Sequence, residues 1–314
     1  MKIQRALYFT ILLSFLSVFS SCDRAVYDDL RDCPQGVDFK FYRQTPCSVA
    51  PSYPSDVKQV RVFAFDGNGV LVGDYSDTQV SLSSGYKLSA LLPAGKIFTF
   101  VAWGGGNLSE YGFSSFEKGK TKKEDLLLSL IHDSNTDVAH LSPLCYGASS
   151  TALDVSSHEG EGSVYETVSI NMEEITSHVN LRVKGLQASD EYSVRILQKS
   201  DTYGFDGAYR PAPGFEYSPS VHRDGTTLLS DFMTMKLLEH GGLQLSILNT
   251  TTGKTVYTAD LVDDLIMYRG DSGEPPYSLS CTHDFDIVLT LESHALIKAV
   301  VNDWNVITRP VDLD

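Results

Sequence analysis

Val179-Asn180-Leu181-Arg182-Val183-Lys184 alternates aliphatic and polar side chains without a break. Successive side chains of a strand point to opposite faces, so three aliphatics share one face and three polar groups the other. That is the signature of a half-buried strand. Downstream, Tyr192–Leu197, Leu243–Leu248, Phe285–Leu291 and Leu296–Val301 read the same way, with one short crossing helix expected over Ala259–Tyr268. Upstream, Val37–Tyr42 alternates, and Val57–Phe65 becomes apolar on both faces towards its end. Asp66-Gly67-Asn68-Gly69 follows, whose glycines and asparagine supply the positive φ of a tight hairpin leading into Val70-Leu71-Val72. Leu88–Leu92 and Ile97–Trp103 add strands on either side of a Pro93-Ala94-Gly95 turn, and Lys122–Ile131 is expected as a second short helix. Short strands at near-regular spacing with few helices imply an all-β chain of antiparallel sandwiches.

The polar stretch Ser156–Ser163 is the best boundary, giving an N-terminal sandwich over 37–155 and a C-terminal one over 164–314. The length of 314 residues agrees with two domains. A hydrophobic share of 42% against 21% charged residues argues for a packed protein rather than a disordered one. With 40 acidic and 25 basic side chains the formal charge is −15, the wrong sign for a nucleic-acid partner.

The N-terminus reads as an address. Lys2 and Arg5 precede an apolar run from Ala6 to Phe19, and Ser20-Ser21-Cys22 closes it. A positive start, a short apolar core and small residues before a boundary make a signal peptide over 1–21. The small pair before Cys22 resembles the bacterial lipobox, which makes Cys22 the expected lipidation site. Ordinary cleavage, leaving Cys22 a plain thiol, is the alternative. Each buried methylene contributes ~0.8 kcal/mol, so several acyl chains hold a protein at a membrane where one barely does. Residues 22–36 then form a polar tether. Cys33, Cys47, Cys145 and Cys281 remain for disulfides in an oxidising compartment; sequence cannot choose among their three pairings or exclude free thiols. Without a C-x-x-C spacing a structural zinc site is not expected.

Candidate chemistry is sparse. Gly270-Asp271-Ser272-Gly273-Glu274-Pro275 resembles the nucleophile stretch of chymotrypsin-like proteases, but Ala139-His140 lacks the matching histidine motif. Arg269-Gly270-Asp271 is a three-residue integrin-type match of the kind that recurs by chance. Gly119-Lys120-Thr121 and Gly253-Lys254-Thr255 lack the earlier glycine of a phosphate loop, with Ser114 and Leu248 in its place. Asp66, Asn68, Asp74 and Asp77 imitate an EF-hand loop, yet Leu71 stands where its glycine belongs. The eight histidines, His178 and His294 among them, lie singly. Trp103 before Gly104-Gly105-Gly106 could offer a sugar platform; a core position is the better expectation. No catalytic, metal or cofactor site emerges.

Four fragments converge in order and spacing: Cys22-Asp-Arg-Ala-Val-Tyr-Asp-Asp-Leu-Arg-Asp-Cys33-Pro34, Val62-Phe-Ala-Phe-Asp-Gly-Asn-Gly69, Phe100-Val-Ala-Trp-Gly104 and Ile297-Lys-Ala-Val-Val-Asn-Asp-Trp304. Together they resemble the FimB-type fimbrial anchor family of Bacteroidota. The resemblance implies two tandem transthyretin-like antiparallel β-sandwich domains with one or two short helices and an outer-membrane lipid anchor. It also implies a place at the base of a fimbria of related fimbrillin-type stalk subunits, and no catalysis. In the polymerising fimbrillins, a protease removes a first strand and a neighbour's strand fills the groove. Here the linker from Ala148 to Ser163 has no basic residue, and Lys184 and Arg195 fall inside apparent strands. The expectation is therefore an uncut subunit that ends the fibre and meets its partner by β-augmentation, with the strand through Trp304 as the contact edge. A surface lipoprotein that binds glycans on exposed coplanar aromatics is the competing reading.

Overall fold

The computed structural model describes residues 35–93, 97–132, 141–155, 162–269, 273–293 and 295–306. In the first half the strands are β1 (Gln35–Tyr42), β2 (Gln59–Asp66), β3 (Leu71–Asp77), β4 (Leu88–Leu92), β5 (Ile97–Gly105) and β6 (Tyr111–Phe113). They continue with β7 (Leu127–Leu130), β8 (Leu144–Ala148), β9 (Leu153–Asp154), β10 (Tyr165–Asn171) and β11 (Glu173–Glu174). The second half carries β12 (Ser177–Lys184), β13 (Tyr192–Gln198), β14 (Thr202–Gly204), β15 (Phe215–Tyr217), β16 (Val221–Asp224) and β17 (Thr227–Thr234). It ends with β18 (Gln244–Asn249), β19 (Lys254–Asp260), β20 (Asp284–Glu292), β21 (Ala295–Val301) and β22 (Trp304–Val306).

The first sandwich packs the sheet β10-β1-β4 onto β11-β8-β5-β2-β3. Val37, Phe39 and Phe41 of β1 interdigitate with Val60, Val62 and Ala64 of β2 and with Phe98, Phe100 and Ala102 of β5. The intervening β2 residues Phe63 and Phe65 face the other way into a second core, with Val101 and Trp103 of β5. This explains the two-sided apolarity of Val57–Phe65: the sheet is covered on both faces. The second sandwich packs β16-β17-β12-β20-β21-β22 against β15-β13-β18-β19. Val179, Leu181 and Val183 of β12 are fully buried, as their alternation demands.

Two pairings depart from the antiparallel expectation. β1 runs parallel to β10, and β12 runs parallel to β20. In each case the first strand of a sandwich meets one of its late strands through a long connection, which hairpins cannot supply.

The expected boundary over 156–163 also differs from the strand pairing. Residues 156–161 lie outside the described residues, but β10 beyond them pairs with β1, and β11 pairs with β8. The switch to the second sandwich comes at Ile175-Thr176. The halves are not separate bodies either. β14 of the second half joins β7 and β6 of the first in one small sheet, and one core cluster holds Trp103 and Leu128 together with Val179 and Phe285. Tyr203 knits the seam, its hydroxyl donating to Ile175 O at 3.0 Å and accepting from Lys236 N at 2.8 Å.

Of the two expected helices, the one over Lys122–Ile131 is mostly strand, whereas the one over Ala259–Tyr268 forms in part. Lys123–Asp125 makes a single 3-10 turn, and β7 follows it. Leu126, Leu128 and Leu130 are buried at every second position, a period of two that the leucine run concealed. Ala259 and Asp260 end β19, and Leu261–Ile266 then forms the short helix, its start capped by the Asp260 carboxylate accepting from Val262 N and Asp263 N.

Candidate functional site

Two strand systems and one cleft among the described residues bear on how a partner could be held. β1 comes first, because it is the first strand of the described residues. It is the central strand of its sheet, paired with β10 from Gly36↔Tyr165 to Tyr42↔Asn171 and with β4 from Gln35↔Leu92 to Phe39↔Leu88. Phe39 is fully buried and meets Phe100 edge to face at 4.9 Å. Past the strand, Asn171 clamps the chain: its Oδ1 accepts from Gln44 N, and its Nδ2 donates to Gln44 O, each at 2.8 Å. β8 approaches this corner so closely that a Cβ on Gly147 would stand 2.3 Å from Asn171 O.

The second system is the edge at β21–β22. Asn302 and Asp303 take positive φ values of 42° and 67°, the left-handed pair a two-residue hairpin needs. Asn302 locks the turn, donating from Nδ2 to Asp284 O and accepting from Asp286 N at Oδ1. β22 pairs with Ala299–Val301 only, so the outer edge of Ala295–Lys298 has no strand partner among the described residues. Ile297 lies at the bulge opposite Thr290 and Leu291, and Ile297 and Trp304 are half exposed, at 47% and 51%.

Between the sandwiches lies a cleft of about 530 Å³ lined by Arg43, Glu174, Lys236, Tyr277 and His283. Arg43 organises its floor. Nη1 pairs with Glu174 Oε2 at 3.0 Å, while Nη2 donates to Cys145 Sγ at 3.0 Å and reaches Asp56 Oδ2 at 3.4 Å. Burial pushes the Glu174 carboxyl up to about 7 against the opposing pull of Arg43, and pushes the Cys145 thiol up to about 12. Burial, with the nearby Arg43 charge, also lowers the His283 imidazole below its ordinary value.

The singled-out residues fall as follows. Cys22 and Cys33 lie outside the described residues. Cys47 is bonded to Cys281, 234 positions away. Cys145, held open as a disulfide partner, is instead a free thiol with no exposed surface, enclosed beside Arg43. Gly270, Asp271, Ser272, His140 and His294 lie outside the described residues. Gly119 and Gly253 have φ of 81° and 71°, as turn glycines do. Asp66 Oδ1 is occupied by Asn68 N and Val70 N, and Asp74 chelates Arg61, so neither is laid out as a calcium ligand. His178 bridges Asp231 and Asp284 on the sheet surface. Trp103 is 1% exposed and packs on Tyr146 and Tyr203, which removes the sugar-platform reading. Among the described residues no cluster of His, Cys, Asp and Glu could hold a metal ion, and no helix is long and apolar enough to cross a membrane. Sequence reasoning missed Arg43 and Glu174, which give no local signal because they meet only through folding.

The family described as "Fimbrillin-A associated anchor proteins Mfa1 and Mfa2" matches residues 30–310. The minor fimbrium anchoring subunit Mfa2 of Porphyromonas gingivalis is 27% identical over 307 residues, covering 94% of this chain and 92% of that protein. A solved structure of the fimbrial anchor protein Mfa2 from the same organism superposes with a TM-score of 0.76 at 26% identity, over 88% of this chain and 100% of that one. A Bacteroides thetaiotaomicron protein described as a candidate polysaccharide binder shares the fold, with a TM-score of 0.72 at 22% identity over 88% of this chain and 99% of that one.

Proposed function

The chain belongs to the family of fimbrillin-A associated anchor proteins, and from that premise we propose that it is a non-catalytic, lipid-anchored outer-membrane subunit that holds and terminates a fimbrillin polymer. Acyl chains on Cys22 fasten it, the tether expected over 22–36 links them to the fold, with its last residues Gln35 and Gly36 already in β1, and tandem sandwiches display its binding edges. The observation that carries this reading is the placement of β1. It is the first described strand after the tether, and it fills the middle of its own sheet with Val37, Phe39 and Phe41 buried. A subunit whose first strand stays in place has no vacant groove for a neighbour's strand there, and its membrane attachment stays continuous with its fold. Polymer growth then stops at this subunit, and the stalk attaches at an open edge instead. The part of β21 that has no strand partner among the described residues supports that role, since an extended partner segment can complete the sheet there by main-chain hydrogen bonds.

The experiment is affinity capture of the intact lipoprotein from membranes of its own cells. Fimbrillin co-purifying in proportion to the bait is the expected result. Recovery without fimbrillin, together with retention on immobilised glycans, overturns the reading in favour of a sugar-binding surface module.

A further inference from the structure

The Cys47–Cys281 bond joins two places that matter mechanically. Cys47 follows the end of β1 by five residues, and Cys281 precedes β20 by three. Both are central strands: β1 lies between β10 and β4, and β20 lies between β12 and β21. From β20 the chain turns directly into β21 and then β22. The shortest covalent route from the tether to the open edge is therefore β1, Cys47, Cys281, β20, β21, β22. Residues 48–280 lie off that route. Resting on the anchor reading above, we propose that this disulfide is a load-bearing splice, which carries fibre tension from β1 to β20 and shields the chain between its two cysteines from extension.

The surroundings fit a loaded splice. β1 is hydrogen-bonded along its length to β10 and β4, so a pull directed along the strand loads those bonds together rather than one at a time. Behind the strand, the Asn171 clamp on Gln44, the main-chain bridge between Arg43 and Ser52, and the Arg43–Glu174 ion pair hold the segment before Cys47. On the other side, Cys281 N donates to Ser278 O and His178 N to His283 O, fastening the turn to β12. Load that dislodges β1 passes through sulfur to a strand held on both sides. Without the bond it passes to Gln44–Tyr53 and then into the first sandwich, which opens in series.

The test pulls the mature full-length chain by its two ends. The native chain should stop extending roughly 800 Å short of the Cys47→Ser/Cys281→Ser variant, at about 3.5 Å per shielded residue. Equal extension overturns the proposal. Native chain reduced after folding gives the same comparison if the variant does not fold. On cells, the double variant should keep fimbriae at rest and shed them several-fold more than wild type under shear; equal shedding overturns the load-bearing role. Fimbriae that stay attached when the whole chain is deleted overturn the anchor reading instead, so the two failures are distinguishable.

Discussion

Arg43 Nη1 lies 3.0 Å from Glu174 Oε2, and this pair ties the residue that follows β1 to the last residue of β11, the final strand of the first sandwich. The same guanidinium touches Cys145 and Asp56, so one side chain gathers the end of β1, a buried thiol and two carboxylates. Truncating it strands Glu174 in a partly dry site. Arg43→Ala is expected to destabilise the fold by roughly 2–4 kcal/mol, read as a lowered denaturation midpoint at unchanged m-value.

Glu174 makes stability depend on pH in an unusual direction. Burial raises its folded carboxyl to about 7, above its ordinary value of 4.5. Between those values the folded state binds more protons than the unfolded one, so this group's contribution falls as pH rises from 4.5 through 7. Glu174→Gln should flatten the stability profile across that window by up to about 3 kcal/mol. Denaturation of both proteins at pH 5 and pH 8 reads the difference; parallel profiles would remove Glu174 as its source.

Phe39 tests the seating of β1. It is fully buried with its ring against Phe100, and Phe39→Ala should cost about 3–5 kcal/mol. Limited proteolysis should then cut between residues 35 and 47 in the variant while sparing the native chain.

Cys145 should be chemically silent. Its thiol is completely enclosed and burial pushes it up to about 12, so the thiolate that alkylating reagents require is scarce at neutral pH. Iodoacetamide is expected to leave it unmodified in the folded protein and to label it after denaturation, as peptide mass mapping would record.

Trp304 should matter for binding and little for folding. It is half exposed on the edge hairpin, so Trp304→Ala is expected to shift stability by about 0.5 kcal/mol or less while reducing fimbrillin recovery several-fold. Unchanged recovery would move the contact to another edge.

The strands most legible in the sequence bury a clean aliphatic face. Val179, Leu181 and Val183 announce β12, and the two-sided apolarity of Val62–Phe65 announces a sheet covered on both faces. β10 escaped because only Ile170 of its seven residues is buried; its pairing with β1 lies some 130 positions away and leaves no local trace. β17 escaped because two of its buried positions are Ser230 and Thr234, polar groups satisfied by Ser220 O and Ser177 O. The disulfide and the Arg43 cluster are products of tertiary convergence, which one chain read by periodicity does not contain. The expected strand through Trp304 is divided by the Asn302-Asp303 turn into β21 and β22, a hairpin that the apolar run Leu296–Val301 did not announce.

The most direct test of the whole account is the intact mass of the chain recovered from outer membranes in complex with fimbrillin. The account predicts a chain that begins at an acylated Cys22 and retains residues 35–42 of β1. A fimbrillin-bound chain that begins after Tyr42, or that carries an unmodified Cys22, would contradict it.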